Sequence, residues 1–177
     1  MDGIGSTGDS ANPNPSSSNQ NPITQNRNLE VIVTDNNNIA TDKLSSINYN
    51  ATTGLFTGTI NLGQTFVSGN YIVKVKSDGH LAKLIPGIQN ITHGTTAQMP
   101  RINLIAGDIN GDNALTIIDY NILLSCMTDP NLTNIDNYAL CNTNSTFIKL
   151  SDLEDNGVVN RFDYNLLLRE YSVQSGD

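Results

Sequence analysis

A segment of 17 residues occurs twice in this chain, and the two copies start 44 residues apart. The first copy runs from Asp108 to Leu124 and the second from Asp152 to Leu168, and both end in Asp-Tyr-Asn-(Ile/Leu)-Leu-Leu. In each copy, twelve residues rich in side-chain oxygen atoms precede a short apolar segment. The repeat therefore predicts two similar local structures in the last third of the chain.

The first twelve residues of each copy have the spacing of a calcium-binding loop. Ca²⁺ prefers six to eight oxygen ligands, which an EF-hand loop supplies from positions 1, 3, 5, 7, 9 and 12, the seventh through its backbone carbonyl. The predicted ligands of a first ion are Asp108, Asn110, Asp112, Ala114, Thr116 and Asp119. Those of a second ion are Asp152, Glu154, Asn156, Val158, Asn160 and Asp163. The alternative is a pair of acidic surface turns. It would require two complete twelve-residue matches to the calcium spacing in segments that bind no ion.

Other positions in the repeat predict its backbone. The sixth loop position needs a sharp turn, and Asn113 and Gly157 both tolerate positive φ. After each loop, apolar residues recur with the i, i+3, i+4, i+7 spacing of a short amphipathic helix. These residues are Tyr120, Leu123, Leu124 and Met127 in one copy, and Tyr164, Leu167, Leu168 and Tyr171 in the other. No helical pattern precedes either loop.

Most of the net charge of the chain lies in the same region. The chain carries 17 acidic residues and 9 Lys and Arg residues, for a net charge of −8, and residues 107–177 contain eleven of the acidic residues against three basic ones. This acidity argues against a nucleic-acid partner, which would require a basic surface. No apolar run is long enough to predict a membrane span.

Residues 27–106 read as short strands separated by turns. The segment 71–76 alternates between apolar residues (Tyr71, Val73, Val75) and residues that face the other way, as in a half-buried strand. Further strands are expected near 29–34, 55–60, 81–85 and 102–105. About seven short strands in this stretch predict a small Ig-like β-sandwich. Residues 1–26, rich in Gly, Ser, Asn, Pro and Gln, predict a flexible linker or tail.

The half rich in predicted strands offers no catalytic group. His80 and His93 are the two histidines of the chain, and both are interpreted as surface or turn residues. Tyr49, Phe56 and Phe66 are interpreted, together with Tyr71, as core or cross-strand residues. Because the carboxylates of residues 107–177 are already assigned to the calcium loops, we expect no enzymatic activity.

The two loop–helix motifs, with Asp at the twelfth position and without an entering helix, resemble the duplicated F-hand repeat of dockerin domains of type I or II. The resemblance covers residues 107–173. It implies a small all-α domain in which each repeat binds one Ca²⁺ and the helices dock onto a cohesin domain of another protein. A β-sandwich directly before a dockerin also resembles the X-module–dockerin pairs of that family. The fold class that we expect is thus two-domain, with an X-module-like all-β sandwich at 27–106 followed by an all-α dockerin-like domain at 107–177.

The resemblance also assigns partner-binding positions. The tenth, eleventh, seventeenth and eighteenth residues of each repeat contact the cohesin in that family. They correspond to Ile117, Ile118, Leu124 and Ser125, and to Arg161, Phe162, Leu168 and Arg169. Leu124 and Leu168 also belong to the predicted core face. Ile117, Ile118 and Phe162 depart from the commonest, polar pattern and favour either apolar recognition or packing against the sandwich or the inter-repeat linker.

Cys126 and Cys141 enclose much of the segment between the repeats. Two cysteines beside extracellular-type calcium loops predict a disulfide, and two free buried thiols are the alternative.

These observations predict a non-catalytic, calcium-dependent interaction module in a secreted or cell-surface, cellulosome-like complex, with two Ca²⁺ ions and a cohesin-like partner, and monomeric without that partner. The alternative function is a calcium-stapled structural cap of a surface protein. It would be favoured if Ile117, Ile118 and Phe162 were buried against residues 27–106.

Overall fold

The computed structural model describes residues 1–6, 18–128, 141, 144–172 and 175–177. Eight strands and three helices have described bounds. The strands are β1 (Asn26–Thr34), β2 (Ala40–Asn50), β3 (Leu55–Thr57), β4 (Gly69–Lys76), β5 (Gly79–His80), β6 (Lys83–Leu84), β7 (Gln89–Ile91) and β8 (Ala106–Asp108). The helices are α1 (Ile117–Cys126), α2 (Ser145–Ser151) and α3 (Arg161–Glu170). Because α2 ends directly before Asp152, the expectation that no helix precedes the second loop is wrong.

Six of the strands form one antiparallel sheet. Its order is β3-β2-β1-β4-β6, and β7 pairs with the start of β4. In β1 and β4 every second side chain points into the concave side of the sheet, where Val31 faces Val75 and Val33 faces Val73 across the ladder. This alternation confirms the interpretation of 71–76 as a half-buried strand. The concave side of the sheet holds the first core of the molecule.

The prediction of an Ig-like sandwich is wrong. The sheet curls into an antiparallel half-barrel, and no second sheet faces it in the described part of the chain. Residues 58–68 and 92–105 cover its concave side as irregular segments instead. Gly63 and Gly94 in these segments have positive φ, a conformation that breaks a strand. The strand expected near 102–105 is absent, and a short strand, β8, begins directly after this segment, at Ala106–Asp108.

The prediction of a separate all-α domain is also wrong. The three helices are short, and β8 leads directly into the first calcium-type loop while pairing with β5, which lies between β4 and β6 of the large sheet in sequence. A second core includes Ala106 of β8 together with residues of the helices. The helical region is thus joined to the β region through a two-stranded ladder.

The helices bury the second core through one face. Leu123 of α1 and Leu167 of α3 are completely buried, as the apolar spacing predicted, and Tyr120, Leu124, Tyr164 and Tyr171 pack partly against them. The assignment of Leu168 to this core is wrong, because its side chain is exposed. Ile122 and Leu166, which the predicted pattern did not include, are buried in this core, each one residue before the completely buried leucine of its helix.

Part of the predicted N-terminal linker lies against the folded chain. Ile4 is buried, the amide of Asp2 donates to the Leu104 carbonyl, and residues 18–26 lead into β1. Asn19 Nδ2 donates to the carbonyl oxygens of Glu154 and Asp155 in the second repeat. Residues 7–17 of this predicted linker lie outside the described residues.

Candidate calcium loops and helix ends

The two repeats adopt the same hydrogen-bond pattern at the start of each loop. Oδ2 of Asp108 accepts the backbone N–H of Asn113 at 3.1 Å, and Oδ2 of Asp152 accepts the N–H of Gly157 at 2.6 Å. Both bonds join the first loop position to the sixth. They close each loop into a compact turn. The remaining oxygen differs between the loops, because Asp152 Oδ1 accepts the N–H of Asn156 at 3.0 Å, whereas Asp108 Oδ1 has no hydrogen-bond partner.

The carboxylate at the twelfth position organises each loop from the other side. Asp119 Oδ1 accepts the N–H groups of Ile109 and Asn110, at 2.9 and 3.1 Å. Asp163 Oδ1 accepts the equivalent N–H groups of Leu153 and Glu154, at 2.7 and 3.2 Å. Each aspartate is also the third residue of its helix.

The ninth loop position is the N-cap of each helix. The side chains of Thr116 and Asn160 accept backbone N–H groups of α1 and α3, while Asp119 and Asp163 accept the N–H groups of the cap residues. This reciprocal arrangement is a capping box, with Asp in the place usually taken by Glu or Gln. The loop sequence therefore also determines where each helix begins.

The expected sharp turn at the sixth position is confirmed. Asn113 has φ 67° and Gly157 has φ 94°. The fourth position has positive φ as well, at Gly111 in the first loop and Asp155 in the second. A non-glycine residue in this region is uncommon, and Asp is one of the residues that adopt it most readily.

The described residues bring the predicted ligands into each loop but do not gather their carboxylates. No three His, Cys, Asp or Glu side chains of the described chain lie together closely enough to hold a metal ion. In the first loop Asp112 instead pairs with Asn110, whose Nδ2 lies 2.8 Å from Asp112 Oδ2.

One atom of the first loop nevertheless fits a cation. Oδ1 of Asp108 is buried and has no hydrogen-bond partner, while its side chain is completely inaccessible. An unpaired buried carboxylate oxygen is costly, and a hard cation is a partner that would satisfy it. The predicted ligands around it all offer oxygen atoms, which is the donor set that Ca²⁺ prefers.

In the second loop the acidic side chains disfavour their own ionisation. The pKa of Asp163 is raised to about 7, mainly by burial and also by the charges of Asp152 and Glu154, against the opposing backbone hydrogen bonds. Burial also raises the pKa of Asp152 and of Glu154, where the charge of Asp152 adds to the effect. A bound cation would favour the charged forms of all three groups.

Two basic residues of the β region contact the loops, and sequence reasoning missed both. Lys76 Nζ of β4 lies 2.8 Å from Oδ2 of Asp108, and Nη2 of Arg27 in β1 lies 2.8 Å from Oδ2 of Asp155. Asp155 also accepts hydrogen bonds from the amide and hydroxyl of Thr24. The excess of basic residues in 27–106 was the available signal, because opposite charge in the two regions favours such contacts.

Helices α1 and α3 pack side by side in opposite directions. The Tyr171 hydroxyl, after the end of α3, donates to the Thr116 carbonyl at the start of α1. At the other end, the amide and hydroxyl of Thr128, after α1, donate to the Val159 carbonyl that precedes α3. The start of each helix therefore lies beside the end of the other.

This packing places the candidate partner residues at the two helix ends. Ile117 and Ile118 are 63% and 52% exposed at the end that α1 shares with the last turn of α3, which carries Leu168 and Arg169. At the opposite end, Arg161 is exposed and lies over the half-buried ring of Phe162, with 5.1 Å from its Cζ to the ring centroid.

The assignment of Ser125 to the partner surface is wrong. Its side chain is 2% exposed, and its hydroxyl donates to the Ile122 carbonyl within α1. The eighteenth position of the first repeat faces the core, as do the next two residues, Cys126 at the end of α1 and Met127 after it.

The predicted cysteine pair forms a disulfide. Cys126 at the end of α1 is bonded to Cys141, with a Cα–Cα distance of 5.2 Å. Both cysteines belong to the second core, so the bond holds Cys141 beside the end of α1 within that core.

The interpretation of His80 as a surface residue is wrong. His80 is buried in β5, and Nδ1 lies 2.8 Å from the Asp78 carbonyl oxygen. Its pKa is lowered to about 3, mainly by burial and also by the nearby Arg27 charge, so the ring is neutral. His93 is exposed, as expected.

No protein family, curated protein or solved structure matches this chain. None of the described helices is long and apolar enough to cross a membrane.

Proposed function

We propose that this chain is a non-catalytic, calcium-dependent protein-interaction module that docks to a cohesin-like partner in a secreted or cell-surface complex. The observation that carries the proposal is the repeated loop. Two twelve-residue segments with the calcium spacing share the same hydrogen bonds, the same positive-φ positions and the same helix caps. The resemblance of the motifs to those of dockerins is the basis for proposing a cohesin-like partner. The repeats differ from a dockerin in that they do not form a separate helical domain.

In the proposed sites, oxygen atoms of the first, third, fifth, seventh, ninth and twelfth loop residues would hold one Ca²⁺ each. Bound calcium supplies positive charge where the loops hold buried acidic groups. The residues of the chain do the remaining work, because Asp119 and Asp163 hold the loop backbone and cap the helices. A correctly closed loop thus fixes the start of each helix and the exposed residues on it.

The exposed aliphatic residues support the docking part of the proposal. Ile117 and Ile118 remain exposed although they occupy the first turn of a well-packed helix. The exposure of these two residues does not favour packing on residues 27–106, although Phe162, the third residue of that test, is half-buried. The disulfide between Cys126 and Cys141 is compatible with an oxidising, extracellular setting.

Isothermal titration of the full chain with CaCl₂ tests the calcium sites. We expect two ions per chain for the unaltered protein and one for Glu154→Gln, which removes a charge from the second loop without altering the helix cap. Asp42→Asn, on the exposed edge of β2, is the matched control and is expected to bind two. Absence of saturable calcium binding in the unaltered protein overturns the calcium part of the proposal.

Binding to immobilised cohesin domains tests the partner. Binding is expected in calcium and not in EDTA, with a loss of at least tenfold for Ile117→Asp. Ile72→Asp changes a similarly exposed isoleucine on β4 and is expected to bind normally. Tight binding that survives EDTA contradicts the mechanism.

The contacts between loops and sheet favour a second candidate, the calcium-stapled structural cap. Lys76 and Arg27 tie both repeats to the β region. In this case calcium would raise the unfolding temperature of the whole chain, but no cohesin would bind, and Ile117→Asp would have no effect beyond stability.

A further inference from the structure

The concave side of the curled sheet lines a cavity of about 780 Å³ that is partly open to solvent. Its volume lies in the range of small-molecule binding sites, which is roughly 300 to 1,000 Å³. Its inner wall is formed by side chains of β1 and β4, including Val31, Val33, Val73 and Val75.

The outer wall is formed by the two irregular segments that replace a second sheet. Half-buried apolar side chains of these segments turn towards the core, among them Ile60, Phe66, Ala97 and Ile102. The segments are tied to each other at His93, whose Nε2 lies 3.0 Å from the Gln64 carbonyl oxygen and whose backbone N–H donates to Ser68 Oγ at 2.9 Å. Segments without strand pairing can separate at smaller cost than a paired sheet, which gives a ligand a route to the interior.

The residues that line the cavity differ in charge from the chain as a whole, which is acidic. The chain has 17 acidic residues, yet none of the described residues that line the cavity is Asp or Glu. Arg101 is the one permanently charged side chain in the lining, and it is exposed beside Ser6, whose Oγ lies 3.3 Å from Nη2. The cavity thus combines apolar walls with a single cation near the surface.

We infer that the half-barrel binds an aliphatic carboxylate, with the hydrocarbon chain between the valines of the sheet and the covering segments and the carboxylate on Arg101. The apolar walls match the hydrocarbon, and a guanidinium matches a carboxylate through paired N–H donors. This site is independent of the calcium loops and of their proposed partner.

The test uses the full chain, in calcium, with decanoate as the probe and decanol as its uncharged counterpart. Because the chain has no Trp, Phe66→Trp places a single fluorophore in the cavity wall. Saturable decanoate binding with a blue shift of its emission is expected. In that background Arg101→Gln is expected to weaken decanoate about tenfold and leave decanol unchanged, whereas Arg161→Gln, at the far helix end, is expected to change neither.

Isothermal titration of a blocked variant without the Phe66 change completes the test. Ala97→Trp fills the cavity from an irregular segment and is expected to abolish decanoate binding while leaving the circular dichroism spectrum unchanged. If the spectrum of Ala97→Trp is altered, Thr57→Trp, on an exposed part of the lining, is used as the blocked variant instead. Absence of saturable decanoate binding to the unaltered chain overturns the inference. Unchanged binding in the blocked variants, or in Arg101→Gln, overturns the placement of the ligand.

Discussion

The ammonium group of Lys76 lies 2.8 Å from Oδ2 of Asp108 and 3.2 Å from the carbonyl oxygen of Gly111. This ion pair joins the last residue of β4 to the first ligand position of the first repeat. Asp108 is fully buried, whereas about a quarter of the Lys76 side chain is accessible. Lys76 therefore pairs with one oxygen of Asp108, whereas the other, Oδ1, has no hydrogen-bond partner and is available to the proposed cation.

Replacement of Lys76 by methionine should show how much the folded state depends on this ion pair. Removing one partner of a largely buried pair leaves an uncompensated charge, so we expect a loss of about 1–3 kcal/mol in the free energy of unfolding in EDTA. Calcium should reduce the loss, because it supplies positive charge at the same carboxylate. Urea unfolding with and without calcium measures both values. Lys74→Met, two residues earlier on β4, is the control, and an equal loss there would contradict the specific role of Lys76.

His80 predicts a destabilisation in acid. Its folded pKa is lowered to about 3 from an ordinary value of 6.5, so the folded state favours the neutral ring. The stability that this provides is complete above pH 6.5 and is lost as the pH falls from 6.5 towards 3. At pH 5 the loss attributable to His80 is on the order of 2 kcal/mol.

Urea unfolding midpoints at pH 7.5 and pH 5 check the role of His80, in EDTA so that calcium does not contribute. The variant His80→Gln cannot titrate and should show a smaller decrease than the unaltered protein. His93→Gln changes an exposed histidine and should retain the full decrease. If all three proteins lost the same stability in acid, His80 would not be responsible.

Two neighbouring leucines of α3 should differ sharply when truncated. Leu167 is completely buried in the second core, whereas Leu168 is 45% exposed. Leu167→Ala should cost about 2–5 kcal/mol because it leaves a cavity, while Leu168→Ala should cost well under half of that. Thermal or urea unfolding gives the comparison directly, and similar costs would show that the helix is rotated from the described orientation.

The disulfide should contribute measurably to stability. Cys126 and Cys141 are separated by 15 residues in sequence. In the chain-entropy description, opening a loop of that size costs roughly 3 kcal/mol. The double variant Cys126→Ser, Cys141→Ser should therefore unfold at a lower urea concentration than the oxidised protein, and addition of dithiothreitol should affect only the unaltered protein.

The local structure of the repeats could be predicted from sequence because each of its determinants is local. The positive φ at Asn113 and Gly157, the start of each helix and the buried Leu123 and Leu167 follow from residue types at fixed spacings. The pairing of Cys126 with Cys141 followed because the chain has two cysteines. The calcium ions, the partner and the extracellular setting stay predictions.

The overall fold could not be predicted, because its determinants lie in pairings between distant segments. Strand β2 has few apolar residues on either face, and it forms because β1 offers a complete hydrogen-bonding edge along nine residue pairs. The apolar residues near 102–105 suggested a strand, but they pack on the concave side of the sheet without pairing. The contacts of Lys76 and Arg27 with the loops likewise depend on that long-range arrangement.

The opposed packing of α1 and α3 makes the helix pair nearly symmetric in its backbone but not in its surface chemistry. One end presents Ile117 and Ile118, and the other presents the guanidinium of Arg161 stacked on Phe162. A molecule that docked on the pair after a half-turn would meet a cation where it had met two aliphatic side chains. If the proposed partner docks on these helices, its attachment would therefore have a defined polarity, and anything carried by the chain would point in a single direction from the partner.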